Sequence, residues 1–253
     1  MQIEEGGILL LGLSFLGTLI GSVVASLFVS SLPKSRIGFL TATAAGMMTG
    51  CGLVLLEECS LRVGYFHAAL ALLGGCLAMK LLDEICVRVL SPKTFHFSGL
   101  YGTKAIRLFI MLMGLVIHSV GEGLSLGLSA ADGSSTGIVV ALSLAIHNIP
   151  ETAALVFSFR AKGASHMSSI ILGVLSSLPQ CLVAFPSVSV FSSNLRLVEY
   201  GMGVSAGCMA YAVLADVYPE AVATIGRQHS LSTALLAGAL VVVFDIYSHI
   251  QIR

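Results

Sequence analysis

Eight apolar stretches, separated by short charged or Pro/Gly-containing breaks, fill almost the whole of this 253-residue chain. They fall near residues 7–31, 37–57, 65–82, 105–130, 137–159, 167–191, 197–218 and 230–250. A spanning helix needs about 20 apolar residues, so eight of them use up the length and leave no room for a sizeable soluble domain. The expected fold is an all-α membrane protein with one transmembrane domain over residues 1–253. Composition agrees, with 56% hydrophobic residues, 10% charged residues and a mean hydropathy of +0.97, where a soluble domain carries roughly a quarter charged residues. The first stretch reads as a true span rather than a signal peptide, because Glu4 and Glu5 precede it and no basic segment does.

Lys and Arg set the orientation. With the N-terminus outside, Lys34, Arg36, Lys80, Arg88, Lys93, Lys104, Arg107, Arg160, Lys162 and Arg227 fall on the inner side, and Arg62, Arg196 and Arg253 on the outer side. This bias puts both termini on the non-cytosolic face and makes the longest loop, residues 83–104, cytosolic. The six cysteines, Cys51, Cys59, Cys76, Cys86, Cys181 and Cys208, show no C-x-x-C spacing and read as small buried hydrophobes, not as a disulfide framework. The formal net charge is zero and topology accounts for the basic residues, so nothing points to nucleic acid.

Within this apolar background, residues 118–122 read His-Ser-Val-Gly-Glu and residues 147–151 read His-Asn-Ile-Pro-Glu. On a helix, His118 with Glu122 and His147 with Glu151 each share a face. Ionisable groups at mid-membrane depth are costly and therefore functional candidates, and imidazole with carboxylate suits divalent transition metals. The fourth and fifth spans are antiparallel, so His118 should lie level with Glu151 and Glu122 level with His147. Ser119 and Asn148 could add neutral oxygen ligands or tie helices together. Pro150 would free the Ile146 carbonyl and bend the fifth span beside its ligands.

The chain also repeats itself. Ala-Gly-Met-Met at 45–48 resembles Ala-Gly-Cys-Met at 206–209, and the spans that hold them end in acids, Glu57 and Glu58 in one and Asp216 and Glu220 in the other. The two spans run in opposite directions, as an inverted repeat of three spans on either side of a central pair would require. Met47, Met48 and Met209 read as packing residues. His67, His166, His229 and His249 read as interfacial.

The paired motifs resemble those of the ZIP (Zrt/Irt-like) family of divalent-metal transporters. His118-Ser119-Val120-Gly121-Glu122-Gly123 is similar to that family's fourth-span motif and His147-Asn148-Ile149-Pro150-Glu151 to its fifth. The resemblance implies eight spans in a 3+2+3 inverted-repeat arrangement, and transport of zinc, or of ferrous iron, manganese or cadmium, toward the cytosol. It makes His118, Glu122, His147 and Glu151 metal ligands, with Ser119 and Asn148 at a second metal position. It also implies a dimer, metal as transported substrate and no cofactor. Asp216 and Glu220 resemble the acidic end of the family's seventh span, at the cytosolic exit. The chain departs from some relatives at Gln180, a neutral group where they carry a sixth-span glutamate, and its cytosolic loop holds His96 but no histidine run.

The alternative from a different class is an intramembrane metallohydrolase, in which a bound metal activates water and a carboxylate acts as general base. Its usual His-Glu-x-x-His order and spacing are absent from this chain. The preferred metal is not fixed by the ligand set, and the membrane, plasma or organellar, is not fixed by topology.

Overall fold

The computed structural model describes residues 2–28, 33–132, 134–161, 164–190 and 195–252. Its helices are α1 (Gln2–Phe28), α2 (Lys34–Val63), α3 (Tyr65–Val89), α4 (Thr103–Asp132), α5 (Ser134–Ala161), α6 (His166–Val190), α7 (Leu195–Ala212), α8 (Tyr218–Ile225) and α9 (Arg227–Ile252). A π-helical turn, Val213–Val217, joins α7 to α8. Between α3 and α4 a two-residue hairpin pairs β1 (His96–Phe97) with β2 (Leu100–Tyr101). Five helices among the described residues are long and apolar enough to cross a membrane, namely Lys34–Val63, Thr103–Leu124, His166–Ala184, Glu199–Ile225 and Arg227–Tyr247.

Several helices overrun the stretches expected from hydropathy. α3 continues to Val89 and α4 begins at Thr103, so the expected loop at 83–104 shrinks to residues 90–102. Membrane thickness does not end a helix: Glu84 and Arg88, one turn apart, pair at 3.3 Å and extend α3 in polar surroundings. In the seventh stretch, Pro219 lacks an N–H and its ring opposes the Ala215 carbonyl. The π-helical turn just before it absorbs that misfit, and the chain stays helical to Ile225. The expected ends at residues 31 and 191 lie outside the described residues.

The helices pair in two groups. α1 packs along α5 and α4 along α6; α2 packs along α9 and α3 along α7. The groups meet where α4 lies on α7 and α5 on α2. A buried cluster including Met48 and Leu55 of α2, Leu108 and Leu115 of α4, and Met202 and Met209 of α7 fills the junction. Met48 and Met209 thus serve as packing residues. Large apolar side chains point outward along α3 (Phe66, Leu70, Leu73, Leu77) and α9 (Leu235, Leu236, Leu240), where a lipid surface would receive them.

The two matched tetrapeptides do the same mechanical work. A Cβ on Gly46 would lie 2.1 Å from the Ala234 carbonyl oxygen of α9, and a Cβ on Gly207 would lie 2.1 Å from the Leu72 carbonyl oxygen of α3. At both places backbone meets backbone, the close approach that small residues permit between spanning helices. The partner helices also start alike: Gly64 before α3 has φ +85° and Gly226 before α9 has φ +80°. Each donates its N–H four residues back, to Ser60 and Val222, at 2.9 Å.

Gly46→Ala and Gly207→Ala should each lower the thermal midpoint in detergent and reduce the monodisperse yield, because backbone must move to admit the methyl group. Gly74→Ala on α3, with nothing within 4 Å of its Cβ, should leave the midpoint unchanged or raise it, in line with a propensity gain of about 0.5–1 kcal/mol. Equal behaviour of all three variants in a thermal melt would contradict the close-approach account.

Candidate metal site

α4 carries His118 and Glu122 one helical turn apart, and the imidazole Nε2 stands 2.9 Å from Glu122 Oε1. α5 brings Glu151 alongside, with its Oε2 3.9 Å from the same Nε2. His118 and Glu151 lie level, as antiparallel helices require. One ligand atom from each of the three residues lies within 4.8 Å of the others, and among the described residues no other three His, Cys, Asp or Glu side chains do so. His118 and Glu122 are 1% exposed and Glu151 is 7% exposed. The side chains of His147 and Pro150 lie outside the described residues, although α5 is helical through both positions. The expected Glu122–His147 layer and the expected bend at Pro150 therefore lie outside them too.

This arrangement concentrates negative charge. Two buried carboxylates cost several kcal/mol each unless compensated, and a neutral imidazole supplies a lone pair but no charge. A divalent cation between them would supply the missing two positive charges and accept all three donors.

The residues assigned to a second metal position make hydrogen bonds of their own within the bundle. Ser119 Oγ donates to the Ser176 carbonyl of α6 at 2.7 Å. Asn148 Nδ2 donates to Gln180 Oε1 at 3.2 Å and to the Ser14 carbonyl at 3.4 Å. Gln180 is fully buried, and its Nε2 has no hydrogen-bond partner among the described residues. An amide N–H is a donor and cannot ligate a cation. Asp216 in the π-helical turn and Glu220 in α8 are half-buried and lie apart from the three-residue cluster.

Three features escaped the sequence reading. Ser14, Thr18, Ser22 and Ser26 recur every four residues along α1, all at 0% exposure. They form a hydroxyl seam against α5 and α6, with Thr18 Oγ1 donating to Ser177 Oγ at 2.9 Å. The four-residue period was visible in the chain, but its role needed the neighbours. Ser205, on α7, reaches His118 Nδ1 at 3.1 Å, and no spacing rule links residues so far apart. His166, expected at an interface, ties three helices: its Nδ1 lies 2.8 Å from the Ser26 carbonyl and its Nε2 is 2.9 Å from an Arg160 guanidinium nitrogen.

The family model described as ZIP zinc transporter matches residues 98–244, a segment that contains His118, Glu122, His147, Glu151 and Gln180. The chain belongs to the ZIP family. It is therefore an integral, multi-pass membrane protein from a family of transporters, not of enzymes. It is 29% identical over 181 residues to the zinc transporter GufA of Myxococcus xanthus, covering 71% of this chain and 70% of that one. It is 26% identical over 158 residues to the zinc transporter ZIPB of Bordetella bronchiseptica, covering 61% of this chain and 51% of the other. The Arabidopsis thaliana protein At3g08650 is 29% identical over 229 residues, which cover 88% of this chain and 36% of the plant protein. The chain thus spans little more than a third of the plant relative's length and about half that of ZIPB.

With the ion held by His118, Glu122 and Glu151 and the Ser119 hydroxyl serving to tie α4 to α6, Ser119→Ala should leave the half-saturating metal concentration within about twofold of the parent. It should lower stability by about 1 kcal/mol, the usual value of one buried hydrogen bond. A tenfold loss of metal affinity with an unchanged melt would put the hydroxyl on the metal instead.

Proposed function

We propose that this chain transports divalent metal ions, zinc foremost, toward the cytosol through a site built from His118, Glu122 and Glu151, with His147 as the fourth ligand. The observation that carries the proposal is the burial of two carboxylates and one imidazole where α4 and α5 meet, midway along both helices. A dication is the partner that balances this charge with the fewest groups, and borderline nitrogen with hard oxygen donors suit zinc while admitting ferrous iron, manganese and cadmium. The names of the bacterial relatives favour zinc among these.

Eight spans in a 3+2+3 inverted repeat are supported by the equivalent seams at Gly46 and Gly207 and by the equivalent starts at Gly64 and Gly226. They are supported too by helix pairing: α1 on α5 mirrors α6 on α4, and α3 on α7 mirrors α9 on α2. The excess of Lys and Arg on one side supports outside termini and the cytosolic placement of residues 90–102. The outward apolar faces of α3 and α9 suit lipid or a second copy of the chain. Metal is substrate here, with no resident cofactor. Asn148 and Gln180, bonded to each other, form a neutral layer beside the site, so we assign one ion per chain. Asp216 and Glu220 remain candidates for a later point on the path.

Radiozinc uptake into vesicles of defined orientation should be saturable and competed by cadmium. His118→Ala and Glu151→Ala, at matched membrane abundance, should each cut uptake at subsaturating metal by at least about tenfold, the lower range for disturbing a metal's ligand set. Uptake that survives both substitutions would remove the site from the path.

Zinc titration of the purified parent in detergent should show one tight ion per chain, and Gln180→Glu, by adding a third carboxylate, should create a second. Two tight ions in the parent would overturn the single-ion assignment.

A further inference from the structure

We propose that Ser205 is a positioning residue for the transported metal, holding His118 in the tautomer and ring orientation that present Nε2 to the ion. The inference rests on the reading of His118 as a ligand and adds to it a residue from α7, a helix that contributes nothing to the cluster itself.

The geometry is doubly constrained. Ser205 Oγ lies 3.1 Å from His118 Nδ1 and donates to the His118 carbonyl oxygen at 3.0 Å. A hydroxyl has one proton and two lone pairs, and a carbonyl can only accept. With its proton on that carbonyl, Ser205 is an acceptor toward the ring, so Nδ1 carries the hydrogen. Nε2 then bears the lone pair, and Glu122 Oε1 at 2.9 Å and Glu151 Oε2 at 3.9 Å face it, an arrangement that calls for a cation, or a proton on a carboxyl, between them. Metal at Nε2 requires this tautomer, and the hydrogen bond at the other ring nitrogen selects it.

Ser205 is itself held in place. A Cβ on Gly121 would lie 2.1 Å from Ser205 Cβ and 2.2 Å from its Oγ, so the serine rests on bare α4 backbone and no larger residue fits opposite. Ser205 is 2% exposed and His118 is 1% exposed, which leaves no bulk water to replace the lost bond. Because α7 packs with α3 while α4 packs with α6, this contact is where the second helix group grips a metal-binding side chain. Metal affinity should therefore depend on the register of α4 against α7.

The test is zinc binding in detergent and zinc uptake in vesicles for Ser205→Ala and Ser205→Cys, with Ser169→Ala as a control at a buried serine whose hydroxyl donates to the Ser165 carbonyl. Ser205→Ala should raise both Kd and the half-saturating concentration about 10- to 100-fold, the range for removing a group that orients a ligand. Its maximal rate should stay within about threefold, because ground-state binding is what the contact serves. Ser205→Cys keeps the side-chain shape with a larger atom that is a weak acceptor, and should fall between alanine and parent. In nitrogen-15 histidine spectra of the zinc-loaded parent, His118 should appear as the Nδ1–H tautomer with Nε2 bound, and that signature should broaden or split in Ser205→Ala. Unchanged Kd in either folded variant overturns the inference. If His118→Ala abolishes binding while Ser205→Ala does not weaken it, Ser205 alone is excluded; if His118→Ala binds zinc normally, the ligand assignment fails and this inference with it.

Discussion

Two carboxylates buried within reach of one imidazole are the constraint on which the rest of this protein turns. In a low-dielectric interior Glu122 and Glu151 must be neutralised, by protons or by a cation, and His118 offers a lone pair without a charge. The surroundings are built to keep water out of that choice. Helices approach to backbone contact at small residues, backbone carbonyls of α1 accept from Asn148 and Thr152 of α5 while its Thr18 and Ser26 hydroxyls meet Ser177 and His166 of α6, and apolar side chains of α2, α4 and α7 close the junction beside the site. A protein of this composition could have filled the same volume with leucine. The cost of keeping ionisable groups there is repaid only when something charged visits.

The charge count also gives the neutral layer beside the cluster a physical sense. On the single-ion reading, one dication matches two glutamates, and a third acid at position 180 would need either a second ion or a proton. Gln180 avoids both by bonding to Asn148, whose amide is further anchored on the Ser14 carbonyl. The polarity around the cluster thus comes from α1 and α6 as much as from the helices that carry His118, Glu122 and Glu151.

Much of this was legible in the chain. The i, i+4 spacing put His118 and Glu122 on one face, and the antiparallel order of two spans put Glu151 level with His118; both follow from helix geometry alone. The likeness of 45–48 to 206–209, three residues of four, pointed to an inverted repeat, but that its glycines mark helix seams needed the neighbouring helices. The directions of individual hydroxyls and amides were not legible. Ser119 turns to a carbonyl of α6 and Asn148 to a side chain of the same helix, outcomes set by which acceptors the fold places nearby. Ser205 could not be found by spacing, since its partner lies on another helix far away in sequence. Helix ends were misjudged where hydropathy was used as the boundary, because α3 and α8 run on through polar residues until Leu90 and Gly226 end them.

The measurement that bears most directly on the cluster as the metal's resting place is zinc K-edge X-ray absorption on the loaded protein in membranes. The account predicts a shell of nitrogen and oxygen donors at about 2.0–2.1 Å with the outer-shell pattern of imidazole, and no sulfur at about 2.3 Å. A sulfur shell, or an oxygen-only shell lacking imidazole, would place the ion away from His118 and contradict it.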